Sequence, residues 1–282
     1  ARHHLCLTGA GDLALRVLSE RWRVAGPGDG PDWEFYPARR ASGADSKQIL
    51  RLGAGSKIGA GSKIGDSPEI DFGAFRLNIE ADEQRERVNV TVHHPMFAQL
   101  EEGARASAAF LMLDDMMGED GVERWLGSVE LIVEPMAEMG HRASLLQAVE
   151  AMRAGASGDH SALREFEAAG LTFVERANLA IKPIDHLLMD THYRVELPAQ
   201  TNDDGQLKGD ELTRVQDLES RLLTSLGHHA IHLKSVTGGG ARVVHVQASP
   251  IGSTPTILTR FCERNPDVIF DARLDSVWSA RA

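Results

Sequence analysis

The chain has 282 residues, of which 42% are hydrophobic and 25% charged, a composition typical of a globular protein with about two domains. Its net charge of −11 argues against a nucleic acid as the principal partner, because Lys and Arg hold phosphates, and it favours a basic or peptide-like protein partner. Two cysteines are too few for a disulfide framework, and no apolar run approaches the roughly 18 residues of a membrane helix, so we expect a cytoplasmic protein without membrane contact.

The chain opens with a predicted strand, helix and strand at 3–8, 12–24 and 32–38. Between the first strand and the helix lies Gly9-Ala-Gly-Asp-Leu-Ala14, a G-x-G-x-x-A pattern. In a dinucleotide-binding fold, Gly9, Gly11 and Ala14 let a pyrophosphate approach the helix N-terminus, and the following Arg39-Arg40 suggests a contact to a 2′-phosphate. Gly9, Gly11 and Ala14 are therefore the candidate cofactor-binding residues, and a nucleotide-binding enzyme is an alternative function.

Two features of the same region favour a simpler interpretation. The following segments alternate like antiparallel hairpin strands instead of continuing with buried parallel strands. Asp12 also places a carboxylate where the phosphate of a nucleotide would sit. The simpler interpretation is a strand end followed by a helix that Asp12 caps, and it predicts no cofactor.

A perfect hexapeptide duplication follows, with Ala54-Gly-Ser-Lys-Ile-Gly59 repeated as 60–65. Glycine and serine at this density favour a flexible loop, which we place at 53–66. The alternative is a phosphate cradle, but the pattern lacks the order G-x-x-x-x-G-K-[ST] and its strand-loop-helix context. We predict a mobile insertion.

The rest of the first half predicts strands at 72–79 and 88–93, a long helix from 96 to 117 that Gly118 to Gly121 breaks, a strand at 128–135 and a helix at 141–154. The glycine-rich stretch 155–159 is the predicted linker, and 170–183 is a further predicted strand. We therefore expect an N-terminal α+β domain at 1–155 and a second domain at 156–282.

The last third predicts a complete ferredoxin-like unit of the order βαββαβ. Its elements are a strand at 193–199, an amphipathic helix at 210–226, a hairpin of 230–237 and 242–248, a helix that Thr254 caps before Pro255, and a strand at 268–274. The fold class is therefore α+β, with two α/β sandwich domains and mainly antiparallel sheets. One face of the C-terminal sheet is expected to remain open to solvent or to a partner.

The sequence predicts neither a catalytic set nor a metal site. Histidine neighbours such as His228-His229 point to opposite faces of a strand, so only His232 and His245, on the predicted hairpin, are candidates for a shared ion. No nucleophile motif occurs, and the acidic clusters lie in polar turns, where solvated carboxylates are ordinary.

Several short runs in the second half share order and spacing with a known bacterial family. They are Leu179 to Asp185, Tyr193 to Pro198, Asp204-Gly205 before Asp210-Glu211, and Ser235 to Arg242. In this order they resemble the bacterial domain of unknown function numbered 695, over about residues 175 to 280. That family is similar to the regulator of ribonuclease E activity B, an inhibitor with a ferredoxin-like fold.

The first half, with Trp33-Glu-Phe-Tyr36 and Gly118 to Trp125, resembles the uncharacterised domain often found ahead of such domains. The resemblance implies a fold and a regulatory role, and it carries over no catalytic residue. The chain departs from the ribonuclease regulator by its whole extra N-terminal domain, which puts a shared target in question.

Together these observations predict a non-catalytic protein-binding or regulatory module. Its expected contact surface is the open sheet face or the hairpin at 238–240. The candidate partner-binding residues are Asp203, Asp204, Asp210, Glu211 and Arg242. A neutraliser of a basic toxin is a further alternative function.

Overall fold

A computed structural model describes residues 2–43, 48–51, 69–202, 206–207 and 209–281. The fold is α+β, as the sequence predicts, and the chain forms two compact units, 1–158 and 159–282. The duplicated hexapeptides at 54–65 lie outside the described residues, so their prediction as a loop stays untested.

Unit 1 begins with the predicted βαβ motif. Strands β1 (His3–Cys6) and β2 (Trp33–Tyr36) pair in parallel, and helix α1 (Leu13–Ala25) connects them. They form a two-stranded sheet of their own and do not join the main sheet of the unit. A second small sheet pairs β3 (Ile49–Arg51) with β4 (Glu69–Asp71).

The main sheet of unit 1 has three strands and packs against two helices. In chain order its elements are β5 (Arg76–Asp82), β6 (Arg87–His93), α2 (Glu102–Trp125), β7 (Leu126–Ile132) and α3 (Arg142–Gly155). β5 and β6 form the predicted antiparallel hairpin, whereas β6 and β7 are parallel because α2 crosses over between them. Fully buried residues such as Phe75, Phe97 and Met112 fill the core.

Helix α2 differs from its prediction at both ends. Residues Pro95–Gln99 form a separate 3-10 turn, so the helix begins only at Glu102. The glycine-rich stretch that was expected to end it produces a kink, with Gly118 at φ 71°, and the helix continues to Trp125. Contacts between the kink and the loop after β2 hold the continuation in place, as described below.

Unit 2 contains the predicted βαββαβ unit. Its elements are β10 (Thr191–Pro198), α4 (Asp210–Leu226), β11 (Ala230–Gly238), β12 (Ala241–Ala248), α5 (Thr254–Arg264) and β13 (Ile269–Leu274). The strand order β13-β10-β12-β11, with antiparallel neighbours, is that of a ferredoxin-like sheet. Apolar side chains of the sheet, among them Val195, Val244 and Val246, form a core with Leu222 of α4 and Leu258 of α5.

A hairpin of β8 (Ser161–Ala168) and β9 (Leu171–Asn178) extends this sheet to six strands. The prediction of one strand at 170–183 captured only β9. Strand β8 was missed because most of its side chains are exposed, which leaves no apolar alternation to detect.

Two finer predictions in unit 2 need correction. Ser253 and not Thr254 precedes the first turn of α5, and the buried Thr254 hydroxyl donates to the carbonyl of His229 at 2.9 Å. The sheet face opposite the helices is also partly covered by the chain itself. Gln247 on that face is fully buried and donates to the carbonyl of Asp275 at 2.8 Å.

Candidate functional site: a charged groove beside helices α4 and α5

A groove of about 1080 Å³ lies in unit 2 where the end of β10 meets α4 and the segment after α5. The split βαβ topology produces it, because both helices pack on one sheet face and leave a gap at the ends of the strands. Its apolar lining comes from Pro198, Leu218, Pro266 and Val268. Charged side chains from both helices form the rest.

One side of the groove is fixed by a clamp between Glu211 and Arg214. Arg214 donates through Nε to Glu211 Oε2 at 2.8 Å and through Nη2 to Glu211 Oε1 at 2.7 Å. The same Nη2 donates to the Pro198 carbonyl at 2.8 Å, and the Gln200 amide donates to Glu211 Oε1 at 2.8 Å. The Arg214 hydrogen bonds, with that of Gln200, lower the pKa of Glu211 to about 2. The clamp ties the end of β10 to the first turn of α4.

The other charges in the groove are less engaged. Arg221 on α4 donates to Asn265 Oδ1 at 3.2 Å. Within the described part of the chain, the side chains of Asp217 and the exposed Arg264 have neither a hydrogen bond nor an ion pair, and Asp267 has an electrostatic interaction with Arg214. Both signs of charge are therefore presented to whatever enters the groove.

Of the predicted partner-binding residues, the structure describes Asp210, Glu211 and Arg242, and these three do not share one exposed surface. Asp203 and Asp204 lie outside the described residues. Asp210 is the exposed first residue of α4, and Glu211 lines the groove. Arg242 departs from the prediction, because its side chain is only 9% exposed and lies under α4.

Arg242 belongs to a buried polar cluster between α4 and the sheet. Its Nη2 lies 2.7 Å from Glu219 Oε2, and its Nη1 donates to Thr237 Oγ1 at 2.9 Å. Glu219 also accepts a hydrogen bond from the Ser235 hydroxyl, and Ser235 Oγ lies 2.8 Å from His232 Nε2. The cluster is held by residues of one helix and two strands.

The serine, histidine and glutamate of this cluster are not arranged as a catalytic triad. The Ser235 proton goes to the carboxylate, so the imidazole does not receive it, and Ser235 is only 1% exposed. The carboxylate of Glu219 lies 3.9 Å from the same His232 nitrogen that meets the serine, whereas a triad needs it on the opposite nitrogen. Burial lowers the pKa of His232. The cluster fits a structural role.

The Gly9 to Ala14 loop has the geometry of a capped helix. Asp12 Oδ1 accepts hydrogen bonds from the amides of Ala14 at 2.8 Å and Leu15 at 3.1 Å, as the simpler interpretation predicts. A Cβ at Gly9 would lie 2.6 Å from Cγ of Arg16, and Gly11 has φ +85°. Both glycines therefore have a structural reason within the loop itself.

A carboxylate of the chain occupies the donors of this loop. Glu119, at the kink of α2, accepts hydrogen bonds from the Thr8 hydroxyl, from the Ala10 amide at 3.1 Å and from the Arg39 amide at 2.9 Å. Glu119 is only 3% exposed. An incoming phosphate would meet this buried negative charge, so the arrangement does not favour the role in cofactor binding predicted for Gly9, Gly11 and Ala14.

Further ionic contacts surround this carboxylate. Arg16, only 1% exposed, contacts Asp120 and lies 3.3 Å from Glu123. Arg39 pairs with Asp114 at 2.9 Å, yet burial, assisted by the charge of Glu119, raises the pKa of Asp114 to about 6. The expectation that these acidic residues are solvated carboxylates in a polar turn is wrong, because Asp114 and Glu119 lie on α2 and are buried. Sequence reasoning missed their basic partners, which come from α1 and the loop after β2.

The two hairpin histidines do not meet. A bulge between His232 and Lys234 shifts the register, so His232 faces Val246 on the helix side and His245 faces Lys234 on the other side. His245 instead contacts His192 of β10, with Nδ1 and Nε2 3.0 Å apart. Burial and the neighbouring His192 lower the pKa of His245 to about 4. Within the described residues no three His, Cys, Asp or Glu side chains lie together as a metal site.

Comparison with known proteins gives no relative. No family model, no curated protein and no solved structure matches the chain. The resemblance to the domain of unknown function 695 therefore stays a prediction. No helix of the described residues is both long enough and apolar enough to cross a membrane.

Proposed function

We propose that this chain is a non-catalytic protein-binding module and that the groove beside α4 and α5 holds a segment of its partner. The observation that carries the proposal is the set of exposed charges in the groove. Within the described residues the side chains of Asp217 and Arg264 have neither a hydrogen bond nor an ion pair, and the exposed Asp267 has an electrostatic interaction with Arg214 but no ion pair.

The open shape of the groove supports a polypeptide ligand. Pockets for small molecules enclose most of the ligand surface. This groove, at about 1080 Å³, is lined on one side by α4 and on the other by residues 264–268. An extended or helical segment suits such a shape.

The charge pattern supports the same choice. A small anion attracted by Arg264 and Arg221 would also meet Asp217 and Asp267, which repel it. A peptide can place a basic side chain against the two aspartates and an acidic one against the arginines. The chain's net charge of −11 further favours a partner with excess positive charge.

The resemblance to the domain of unknown function 695, a family similar to a ribonuclease regulator, supports a regulatory outcome of such binding. A neutraliser of a basic toxin is a special case of the same proposal, since the partner would then be a basic protein. The identity of the captured protein distinguishes the two.

Photo-crosslinking in lysate of the native host tests the proposal. A benzophenone amino acid replaces the exposed groove residue Ser220, and the same substitution at the exposed Glu167 of β8 serves as the control. We expect a discrete protein adduct from position 220 that is absent from position 167. Adducts of equal pattern at both positions would contradict the proposal.

Charge reversal provides the second arm of the test. The variant Asp217→Lys with Asp267→Lys is expected to reduce the adduct at least tenfold, because it replaces both groove carboxylates by cations. The variant Glu165→Lys with Glu167→Lys makes the same change in net charge on β8 and is expected to leave the adduct intact. Equal loss in both variants would indicate non-specific attraction and would reject the groove.

A further inference from the structure

The two-stranded sheet of unit 1 has one edge, the outer edge of β1, that pairs with no other described strand. The amides of His3 and Leu7 donate to β2, to Asp32 O at 2.8 Å and to Tyr36 O at 2.9 Å. In a parallel ladder alternate residues face the neighbouring strand, so the N–H and C=O groups of His4 and Cys6 point away from β2. No described residue pairs with this outer edge of β1, and all four residues of the strand are exposed.

The opposite edge of the same sheet, on β2, has hydrogen-bond partners. On the outer side of β2, Gly30 N donates to Trp33 O at 2.9 Å, and Phe35 N donates to Asp29 Oδ1 at 3.0 Å. The loop before β2 therefore satisfies that edge. Proteins protect edge strands in this way against pairing with other chains, and no loop among the described residues covers the outer edge of β1 in the same manner.

Exposed apolar side chains also lie on α1, the helix that packs on this sheet. Leu15 and Leu18 are 48% and 56% exposed and lie on one helical stripe with Trp22. The Trp22 ring lies 6.0 Å from the ring of Phe35, which is the register partner of Leu5, itself 46% exposed. Leu5, Leu15 and Leu18 therefore present exposed apolar surface that a second layer could cover.

From these observations we infer that β1 is a self-association edge: a second copy of this chain adds its own β1 antiparallel, with Leu5 on the two-fold axis. His4 of each copy then faces Cys6 of the other, and each of these pairs exchanges two backbone hydrogen bonds. Leu5 packs against Leu5 of the second copy. The contact uses residues of unit 1 only and does not depend on the proposed groove function.

The strand can pair with a second copy of itself in one well-defined register. His4 and Cys6 are placed symmetrically about Leu5, so this one antiparallel register satisfies every outward backbone group of β1. If the two-fold axis passed through His4 instead, Cys6 would pair with a residue outside the four-residue strand. An axis through Cys6 would do the same to His4. The segment His3 to Thr8 carries no Asp, Glu, Lys or Arg, so no like charges are brought together in a chain of net charge −11.

The expected distance between the two α1 helices agrees with the same pairing. Joining the two sheets at β1 places two equivalent helices on one face, separated by two strand spacings of about 4.8 Å each. The resulting distance of about 10 Å is that of packed helices. The exposed stripe of Leu15 and Leu18 is then available to cover its copy.

Disulfide trapping tests the register. Opposed Cα atoms at a non-hydrogen-bonded antiparallel pair lie about 4.5 Å apart, within the range that a disulfide spans. The variant Leu5→Cys with Cys6→Ser is expected to form a covalent dimer under mild oxidation. The wild-type chain, whose Cys6 faces His4, is expected to remain uncrosslinked, as is Leu163→Cys with Cys6→Ser, which places a cysteine at a leucine 74% exposed on β8.

Sedimentation of the full chain tests the association itself. Over roughly 1–100 μM we expect a concentration-dependent rise from 30.7 kDa toward twice that mass. Leu5→Lys and Leu18→Glu are expected to abolish the rise, and Leu163→Lys to preserve it, with circular dichroism confirming that each variant is folded. A monomer at all concentrations together with no crosslink at position 5, or a dimer that both unit 1 variants retain, would overturn the inference.

Discussion

Glu119 and Arg39 hydrogen-bond to each other in both directions. The Arg39 amide donates to Glu119 Oε2 at 2.9 Å, and the Glu119 amide donates to the Arg39 carbonyl at 3.1 Å. The same carboxylate accepts from the Thr8 hydroxyl and the Ala10 amide. One side chain on the kinked helix α2 therefore fixes both loops that flank strands β1 and β2.

Removing this carboxylate is expected to loosen the βαβ motif from α2. Glu119→Ala leaves the Arg39 amide and the Thr8 hydroxyl without this acceptor, whereas the Ala10 amide keeps its hydrogen bond to Thr8 Oγ1 at 2.9 Å. Hydrogen bonds to charged groups contribute about 1.5–3 kcal/mol each. We expect unit 1 to lose at least about 3 kcal/mol of stability. Native-state hydrogen exchange of β1 and α1 amides measures it.

The exposed Glu138 supplies a control on the same unit. Glu138→Ala is expected to change the exchange rates little. Protection of β1 that survives in Glu119→Ala would show that other contacts hold the motif.

The kink itself depends on a glycine. Gly118 has φ +71°, and a Cβ there would lie 2.9 Å from the Arg39 carbonyl oxygen and 3.0 Å from the Ala41 amide nitrogen. A left-handed conformation costs other residues about 1–2 kcal/mol, and the contact with backbone adds to that cost. Gly118→Ala is therefore expected to destabilise unit 1 by about 2 kcal/mol or more in urea unfolding.

A second glycine of α2 gives the matched comparison. Gly103 has an ordinary φ and nothing within 4 Å of an added Cβ, so Gly103→Ala is expected to stabilise by about 0.5–1 kcal/mol. If Gly118→Ala also raised the free energy of unfolding, the backbone at the kink would have to accommodate the added methyl group at low cost.

The kink shows where local sequence reasoning stops. The stretch Gly118 to Gly121 was expected to end α2, since glycine is a poor helix former. The helix continues because Glu119 and Asp120 bind Thr8 and Arg16, residues about a hundred positions earlier in the chain. Sequence periodicity contains no information on such contacts.

The bulge at His232 makes the same point for the sheet. The apolar alternation of β11 and β12 predicted their hairpin correctly, and the ferredoxin-like order follows from elements of this kind. A shift of one residue moves side chains to the other face, so His232 and His245 are separated although both strands were predicted. In the groove, Glu211 was predicted as a partner-binding residue because it lies in an acidic turn. Arg221 and Arg264 could not be predicted, because only the packing of α4 against α5 brings them to the same groove.

The buried pair of Glu219 and Arg242 gives a prediction about unit 2. The side chain of Glu219 is 10% exposed and that of Arg242 is 9% exposed, so removing one of them leaves an uncompensated charge beneath α4. Breaking such a pair typically costs 3–5 kcal/mol, whereas replacing both partners by apolar residues is often neutral or stabilising. We expect Arg242→Met to destabilise strongly and the double variant with Glu219→Met to recover most of the loss. Hydrogen exchange of β11 and β12 amides measures it, and a double variant as unstable as the sum of the singles would show that the pair itself does not couple.

The clamp at the groove predicts a pH dependence with a definite sign. The pKa of Glu211 is lowered to about 2, below the ordinary value of about 4.3, so its stabilising contribution is present above pH 4.3 and is lost as the pH falls toward 2. Arg214→Ala removes the first cause of the shift and is expected to return the Glu211 pKa toward its ordinary value. Carbon NMR titration of the Glu211 carboxyl group measures the change.

Arg221→Ala is the control, because it removes a groove arginine that has no hydrogen bond to Glu211. It is expected to leave the Glu211 pKa unchanged. A Glu211 pKa that stays low without Arg214 would assign the shift to the Gln200 amide instead.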